Sequence, residues 1–261
     1  MYDLAALDAA LADTIFAGKL HFSPVTGSTN DDAMDAARGG AQHGSVYVAD
    51  EQWAGRGRGD HAWRSAAGEG LYVSVLLRPR IPAVLLPLLP LAAGLAASDA
   101  IHAVAGLTVD LRWPNDLLVG PRKAGGILVE THTKASKVAF AIVGIGINVH
   151  QSSFLPDLAT QATSLDLEAK YRVSRQDLLV TLLKSLERET RELLDPAAGE
   201  TIPARVEQAS TWVRGRQVEV HGPQACTGVT DGLDKHGFLR VHTGDGLVTV
   251  QTGGIRAVER G

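Results

Sequence analysis

The chain of 261 residues contains a single cysteine, Cys226. A lone thiol forms no internal disulfide, and no metal site can be assembled from cysteine pairs. Glycine and proline, at 28 and 11 residues, are too few for a collagen-like or low-complexity chain. An excess of positive charge is also missing, since 25 Lys and Arg face 29 Asp and Glu and leave a formal charge of −4. That excludes a global attraction to nucleic acid or an anionic membrane and leaves room only for a local basic loop. The amino terminus has no basic segment ahead of an apolar stretch, so it does not read as a signal peptide. Residues 81–98 are uncharged, but Pro82, Pro87, Pro90 and Gly94 interrupt them. A buried core helix starting after those prolines fits better than a membrane span. These absences point to a soluble, cytoplasmic protein with no membrane partner.

What is present is enough for a core. Apolar residues make up 45% and charged residues 21%, and at about 150 residues per domain the length suggests one or two domains. Leu4, Leu7, Leu11 and Ile15 recur at helical spacing and predict a helix over 3–17, closed by Gly18. A strand over 20–25 leads into Thr26-Gly27-Ser28-Thr29-Asn30 and a helix over 31–38. A strand over 45–50 is followed by a polar Gly/Arg segment, 51–65, then by a β-like run over 71–77 and the buried helix, 88–104. Short apolar runs at 109–113, 117–119, 126–131 and 138–149 succeed one another without helices between them. That favours an antiparallel or mixed sheet over doubly wound βαβ units. Residues 174–194 predict an amphipathic helix that opens on Ser174 and Asp177, a capping box with Asp in place of Glu. Beyond about residue 211, short strands at 218–220, 226–230, 238–241 and 247–251 alternate with Gly-rich turns. This is the pattern of a small SH3-like β-barrel, so the boundary between two domains, 1–210 and 211–261, is set near Ser210.

Four segments carry possible chemistry. Gly55-Arg56-Gly57-Arg58-Gly59 follows a strand, but no periodic helix begins after it, so a dinucleotide fingerprint is excluded. Alone it reads as a surface loop; the alternation of glycine and arginine, however, lets backbone close over an anion while guanidinium groups grip its oxygens. Arg112-Trp113-Pro114-Asn115-Asp116 reads by itself as a strand end and turn. Lys123 enters a strand beside Gly125 and Gly126, which permit close approach of a ligand. In Gly144-Ile145-Gly146-Ile147-Asn148-Val149 the asparagine is either a satisfied structural amide or a ligand contact, and spacing does not decide.

Taken in order, these segments resemble the biotin–protein ligases. The resemblance rests on Ser28-Thr29-Asn30, on Glu51-Gln52 with the GRGRG segment and Trp63, and on RWPNDL, RKAGGILVE and GIGINV. It runs from about residue 20 to the C-terminus, through Ala162-Thr163-Ser164-Leu165. It implies an α+β fold with a catalytic domain like that of class II aminoacyl-tRNA synthetases, an antiparallel-rich sheet with flanking helices. By motif position it implies that Ser28, Thr29, Asn30, Gln52, Arg56, Gly57, Arg58 and Lys123 meet biotin. Arg58, Trp63, Asn115, Asp116, Lys123 and Asn148 are implied at the ATP or adenylate, with Lys123 and Arg58 as the catalytic pair. The implied substrates are biotin and ATP with Mg²⁺, and the implied partner is the biotin carboxyl carrier domain of an acyl-CoA carboxylase. Two departures stand out. Gly59, Asp60 and His61 replace further basic residues of the family loop, and Arg112 replaces the lysine of KWPND, keeping the charge and changing its geometry. Twenty-seven residues precede Ser28 where a DNA-reading winged helix needs roughly sixty, so the monofunctional type is expected. Some members of the family dimerise through the central sheet; nothing in this pattern forces a homodimer. A lipoate ligase of similar fold is the nearest rival, and a nucleic-acid-binding module a more distant one.

Overall fold

The computed structural model describes residues 2–59, 61–134, 137–154 and 160–258, so Asp60 of the Gly/Arg segment lies outside it. Seven strands make the larger sheet: β1 (Leu20–Thr26), β2 (Ser45–Gln52), β3 (Gly70–Leu77), β4 (Asp110–Arg112), β5 (Asp116–Val119), β6 (Arg122–Lys134) and β7 (Lys137–Asn148). Their order is β1-β2-β3-β7-β6-β5-β4; β1 and β2 pair in parallel and the other pairs are antiparallel. The mixed, mainly antiparallel sheet expected from the close succession of apolar runs is therefore present.

Among the described residues six helices flank it: α1 (Leu4–Ala10), α2 (Thr29–Arg38), α3 (Leu89–Ala105), α4 (Leu165–Ala169), α5 (Arg175–Glu192) and α6 (Ala198–Gln208). The two faces of the sheet are buried differently. Leu71, Val73, Val75 and Leu77 of β3 join Val143, Ile145 and Ile147 of β7 in the main core beneath α3 and α5. The alternate positions Leu76, Phe140 and Ile142 meet Ala33 and Ala37 of α2 on the opposite face. Because side chains alternate across a strand, the remaining positions of that second face, among them Ser74, Gly144 and Gly146, also open toward α2. Burial on both faces explains why every residue of β3 is buried and why its sequence is a continuous apolar run.

Residues 83–105 are long and apolar enough to cross a membrane by length and composition. They form a 3₁₀ turn (Ala83–Leu88) and α3, and most of that stretch is buried inside the fold. Five further strands, β8 (Arg214–His221), β9 (Cys226–Leu233), β10 (Leu239–Thr243), β11 (Gly246–Val250) and β12 (Gly254–Ala257), form an antiparallel sheet in the order β11-β10-β9-β8-β12. Its Val218, Val220, Leu239, Val241 and Ile255 belong to the same apolar core as α3.

The helix expected over 3–17 is shorter, ending at Ala10. Beyond it the Thr14 hydroxyl donates to the Leu11 carbonyl, a local bond that competes with continued helix.

Candidate active site

A cleft of about 480 Å³ of open volume lies on the α2 face of the larger sheet. Its floor is backbone. Gly126 of β6 pairs with Gly146 of β7, and Gly144 lies two residues away on the same face. The lack of side chains there is a steric requirement: a Cβ on Gly144 would overlap the Asn30 amide, and one on Gly146 would stand 2.7 Å from the Trp63 indole. The two glycines of GIGINV thus let a side chain from α2 and one from the loop after β2 reach the sheet.

One end of the cleft is neutral and polar. Ser28, Thr29 and Asn30 are buried at the start of α2. The Gln52 Oε1 accepts from the Thr29 backbone N–H at 2.8 Å and from its hydroxyl at 3.1 Å, while Gln52 Nε2 donates to Ser65 Oγ at 2.7 Å. Ser74 Oγ lies 2.7 Å from Thr29 Oγ1 and 2.6 Å from Asn30 Oδ1. Asn30 Nδ2 in turn donates to Glu130 Oε2 at 2.8 Å. Every amide and hydroxyl in this chain is therefore oriented before any ligand arrives.

Cations line the other part. Within the segment 51–65, Gly57 N–H donates to the His61 carbonyl at 2.6 Å and Trp63 N–H to the Gly55 carbonyl at 2.8 Å, folding it into a turn over the cleft. Arg56 is clamped by Glu130 at 2.7 Å and Asp31 at 2.7 Å. Burial alone would lower its pKa, and the two carboxylates more than offset that. The Arg58 guanidinium donates to the Gly253 carbonyl and, at 2.9 Å, to Thr252 Oγ1, so it joins the cleft to the C-terminal sheet. Burial draws its pKa below the ordinary value, with the charge of Asp116 opposing. Lys123 Nζ stands 2.5 Å from Asp116 Oδ1 and 5.5 Å from the centre of the Trp63 ring. The Trp63 Nε1 is buried and has no hydrogen-bond partner among the described residues. For Asp116, burial would raise the pKa, but the Lys123 ammonium and the Arg112 guanidinium hold it below the usual carboxylate range.

Of the residues singled out from sequence, Ser28, Thr29, Asn30, Gln52, Arg56 and Gly57 line this one cleft, as do Arg58, Trp63, Asn115 and Lys123. Two do not line it. Asp116 sits behind Lys123, and Asn148 is turned inward with its Nδ2 donating to the Thr163 carbonyl at 3.0 Å. Sequence reasoning missed Glu130, Asp31 and Ser74. A serine inside the apolar run of β3 was the available signal for Ser74; Glu130 and Asp31 carry no local signal in the sequence. Among the described residues no group of three or more His, Cys, Asp or Glu side chains converges to hold a metal ion.

The family model described as the biotin/lipoate A/B protein ligase family matches residues 22–148. The chain is 33% identical over 236 residues to a biotin–[acetyl-CoA-carboxylase] ligase of Mycobacterium tuberculosis, covering 88% of this chain and 85% of that one. It is 38% identical over 177 residues to a bifunctional ligase/repressor, BirA, of Bacillus spizizenii, and spans about half the length of that relative (54%) and of its Bacillus subtilis counterpart. Among solved structures, the biotin protein ligase of Aquifex aeolicus in complex with biotin and ATP superposes with a TM-score of 0.79 at 28% identity, over 92% of this chain and 98% of that one.

Proposed function

The chain belongs to the biotin/lipoate A/B protein ligase family, and from that membership we propose that it is a biotin–protein ligase. In this reading ATP activates biotin to biotinyl-5'-AMP, and the biotinyl group then passes to a lysine of a biotin carboxyl carrier domain, such as that of acetyl-CoA carboxylase. The observation that carries it is the single cleft with a neutral polar end at Thr29 and Gln52 and a cationic part at Lys123, Arg56 and Arg58. A ureido ring offers one carbonyl acceptor and two N–H donors, which suits hydroxyl and amide side chains already fixed in place. The carboxylate at the other end of the ligand then falls among the cations.

Two anions must meet in the first step. A carboxylate oxygen attacks the α-phosphorus of ATP, the bond from that phosphorus to the bridging oxygen breaks, and pyrophosphate leaves. At about 4 Å and an effective dielectric near 20, the repulsion between two unit charges is roughly 4 kcal/mol. Lys123 and Arg58 offset it by presenting positive charge where the negative charges approach. Trp63 and the turn 51–65 keep water from the mixed anhydride. In the second step a neutral lysine amine of the carrier attacks the acyl carbon and AMP departs. Among the described residues no three or more His, Cys, Asp or Glu side chains gather, and Mg²⁺ fits this reading as an ion carried by the triphosphate, which needs at most one or two protein carboxylates. Use of ATP and a lone cysteine fit a cytoplasmic enzyme.

Biotin-dependent exchange of labelled pyrophosphate into ATP tests the reading, followed by transfer of labelled biotin and labelled lipoate to a carrier domain. Exchange with biotin and incorporation of biotin alone are expected. Exchange with lipoate in its place would overturn the biotin assignment, and no exchange with either would overturn the ligase reading.

A further inference from the structure

Asp116 uses both of its oxygens. Oδ1 holds the Lys123 ammonium at 2.5 Å, and Oδ2 accepts from Arg112 Nη2 at 2.6 Å and Nε at 3.0 Å. Arg112 is itself buried, at 8% exposure, and its Nη2 also donates to Thr160 Oγ1 at 3.0 Å. Its guanidinium carbon lies 5.2 Å from the centre of the Trp212 ring, and Arg216 lies 3.7 Å from the same ring.

Trp212 is held by backbone. Leu111 N–H donates to the Ala209 carbonyl at 3.0 Å, and Thr211 binds Asp110 through its N–H at 2.8 Å and its hydroxyl at 2.6 Å. Ser210 Oγ donates to the Leu111 carbonyl at 2.5 Å and accepts from the Trp212 N–H at 3.1 Å. The segment 209–212 is thus fastened along β4 and lays its indole on the arginine that β4 carries. A guanidinium presents a planar face to a ring and a fork of N–H groups to a carboxylate at the same time; an ammonium does not. The arginine found where the family pattern has lysine therefore has a geometric use here.

We propose that Arg112 and Trp212 are positioning residues for Lys123. The indole fixes the plane of the guanidinium, the guanidinium fixes the rotation of the Asp116 carboxylate, and its second oxygen fixes the ammonium at the wall of the cleft. The link joins the connection to the C-terminal sheet with the cation that the reaction uses. It rests on the reading of Lys123 given above.

The test compares wild type with Trp212→Leu, Trp212→Phe, Arg112→Ala, Arg112→Lys and the Trp212→Leu/Arg112→Ala pair. Two experiments are run: biotin-dependent pyrophosphate exchange, which gives kcat and KM, and acetylation of Lys123 by acetic anhydride, followed by mass spectrometry. Loss of the indole is expected to lower kcat about tenfold, with KM for biotin within about twofold of wild type. It is also expected to raise labelling of Lys123. Trp212→Phe, which keeps a ring over the guanidinium, is expected to stay within about threefold on kcat. In the double variant the tryptophan change is expected to add less than about twofold to the arginine change, because both break one chain of contacts.

Multiplicative effects in the double variant, or unchanged labelling of Lys123, would overturn the proposal. If Trp212→Leu does not fold, Arg112→Lys carries the test: it is expected to raise labelling and lower kcat while Trp212→Phe does neither, and the reverse pattern overturns the link. Labelling reads the position of the ammonium whether or not biotin is turned over. A wild type without exchange whose Lys123 labelling still rises on loss of the indole counts against the ligase reading and for the link.

Discussion

Gly146 and Trp63 show how one atom sets the chemistry available to the cleft. Replacing Gly146 by alanine places a methyl group 2.7 Å from the indole, inside contact distance, so the ring must move off the sheet. Gly146→Ala is expected to keep the fold, to weaken ATP binding about tenfold and to disturb biotin binding less, since overpacking of this kind costs about 1–3 kcal/mol. Calorimetric titration with each ligand checks it, and equal affinities in both proteins would remove Trp63 from the nucleotide side. Gln52→Ala is expected to act in the opposite sense. It strips two hydrogen bonds from Thr29 and one from Ser65, and should weaken biotin by about 1–3 kcal/mol with little effect on ATP. Asp116 governs the acid limb. Its pKa in the folded protein lies below the ordinary value because Lys123 and Arg112 outweigh its burial. A depressed carboxylate contributes stability that is fully present above its unfolded pKa of about 3.9 and is lost as pH falls through the folded value. Urea midpoints should therefore show wild type above Asp116→Asn at about pH 6 and the gap closing below about pH 4; a gap independent of pH would show that the carboxylate's charge is not what stabilises.

Among the elements, α5 combines a legible start with a hidden partner. Ser174 accepts from the Asp177 N–H at 3.2 Å, the cap that its sequence announces, and Leu178, Leu179, Leu182, Leu183 and Leu186 are buried as their spacing requires. The same helix buries Glu189 completely, and Arg205 of α6 meets it with two bonds of 2.8 Å. Arg205→Ala leaves that carboxylate, among the described residues, with the longer contacts to Arg188 at 3.3 Å, and a loss of about 3 kcal/mol is expected from the denaturant midpoint. Nothing in the sequence foretold α6 itself. Gly199 and Pro203 are poor helix residues, and burial of Ile202, Pro203 and Val206 overrides that local preference. The sheet was readable because its apolar runs follow one another closely, and the polar cleft residues were readable because their motifs occur in a fixed order. The clamp of Asp31 and Glu130 on Arg56 was not, since ion pairs join residues up to 74 positions apart and leave no local periodicity.

At the scale of the whole molecule, the two sheets share one core. Trp113 Nε1, close in sequence to the cleft residue Asn115, donates to the Gly237 carbonyl at 3.0 Å, and Gly237 packs against Leu88 and Leu91. A chain with this continuity is expected to unfold in one calorimetric transition whose van't Hoff and calorimetric enthalpies agree, and a fragment ending at residue 208 is expected to aggregate. Two resolved transitions, or a soluble fragment with a native urea midpoint, would show independent units. The glycine floor has a further consequence for anyone seeking to change what the cleft accepts. Pockets are commonly enlarged by trimming the residues beneath the ligand, yet at Gly126, Gly144 and Gly146 there is no side chain left to trim. On the proposed reading, acceptance of a bulkier ring must come from the walls, where Thr29 and Gln52 would hold biotin, so each gain in width removes a hydrogen bond. On that reading selectivity is built into the backbone of two strands, where any substitution of a glycine adds a side chain and narrows the cleft.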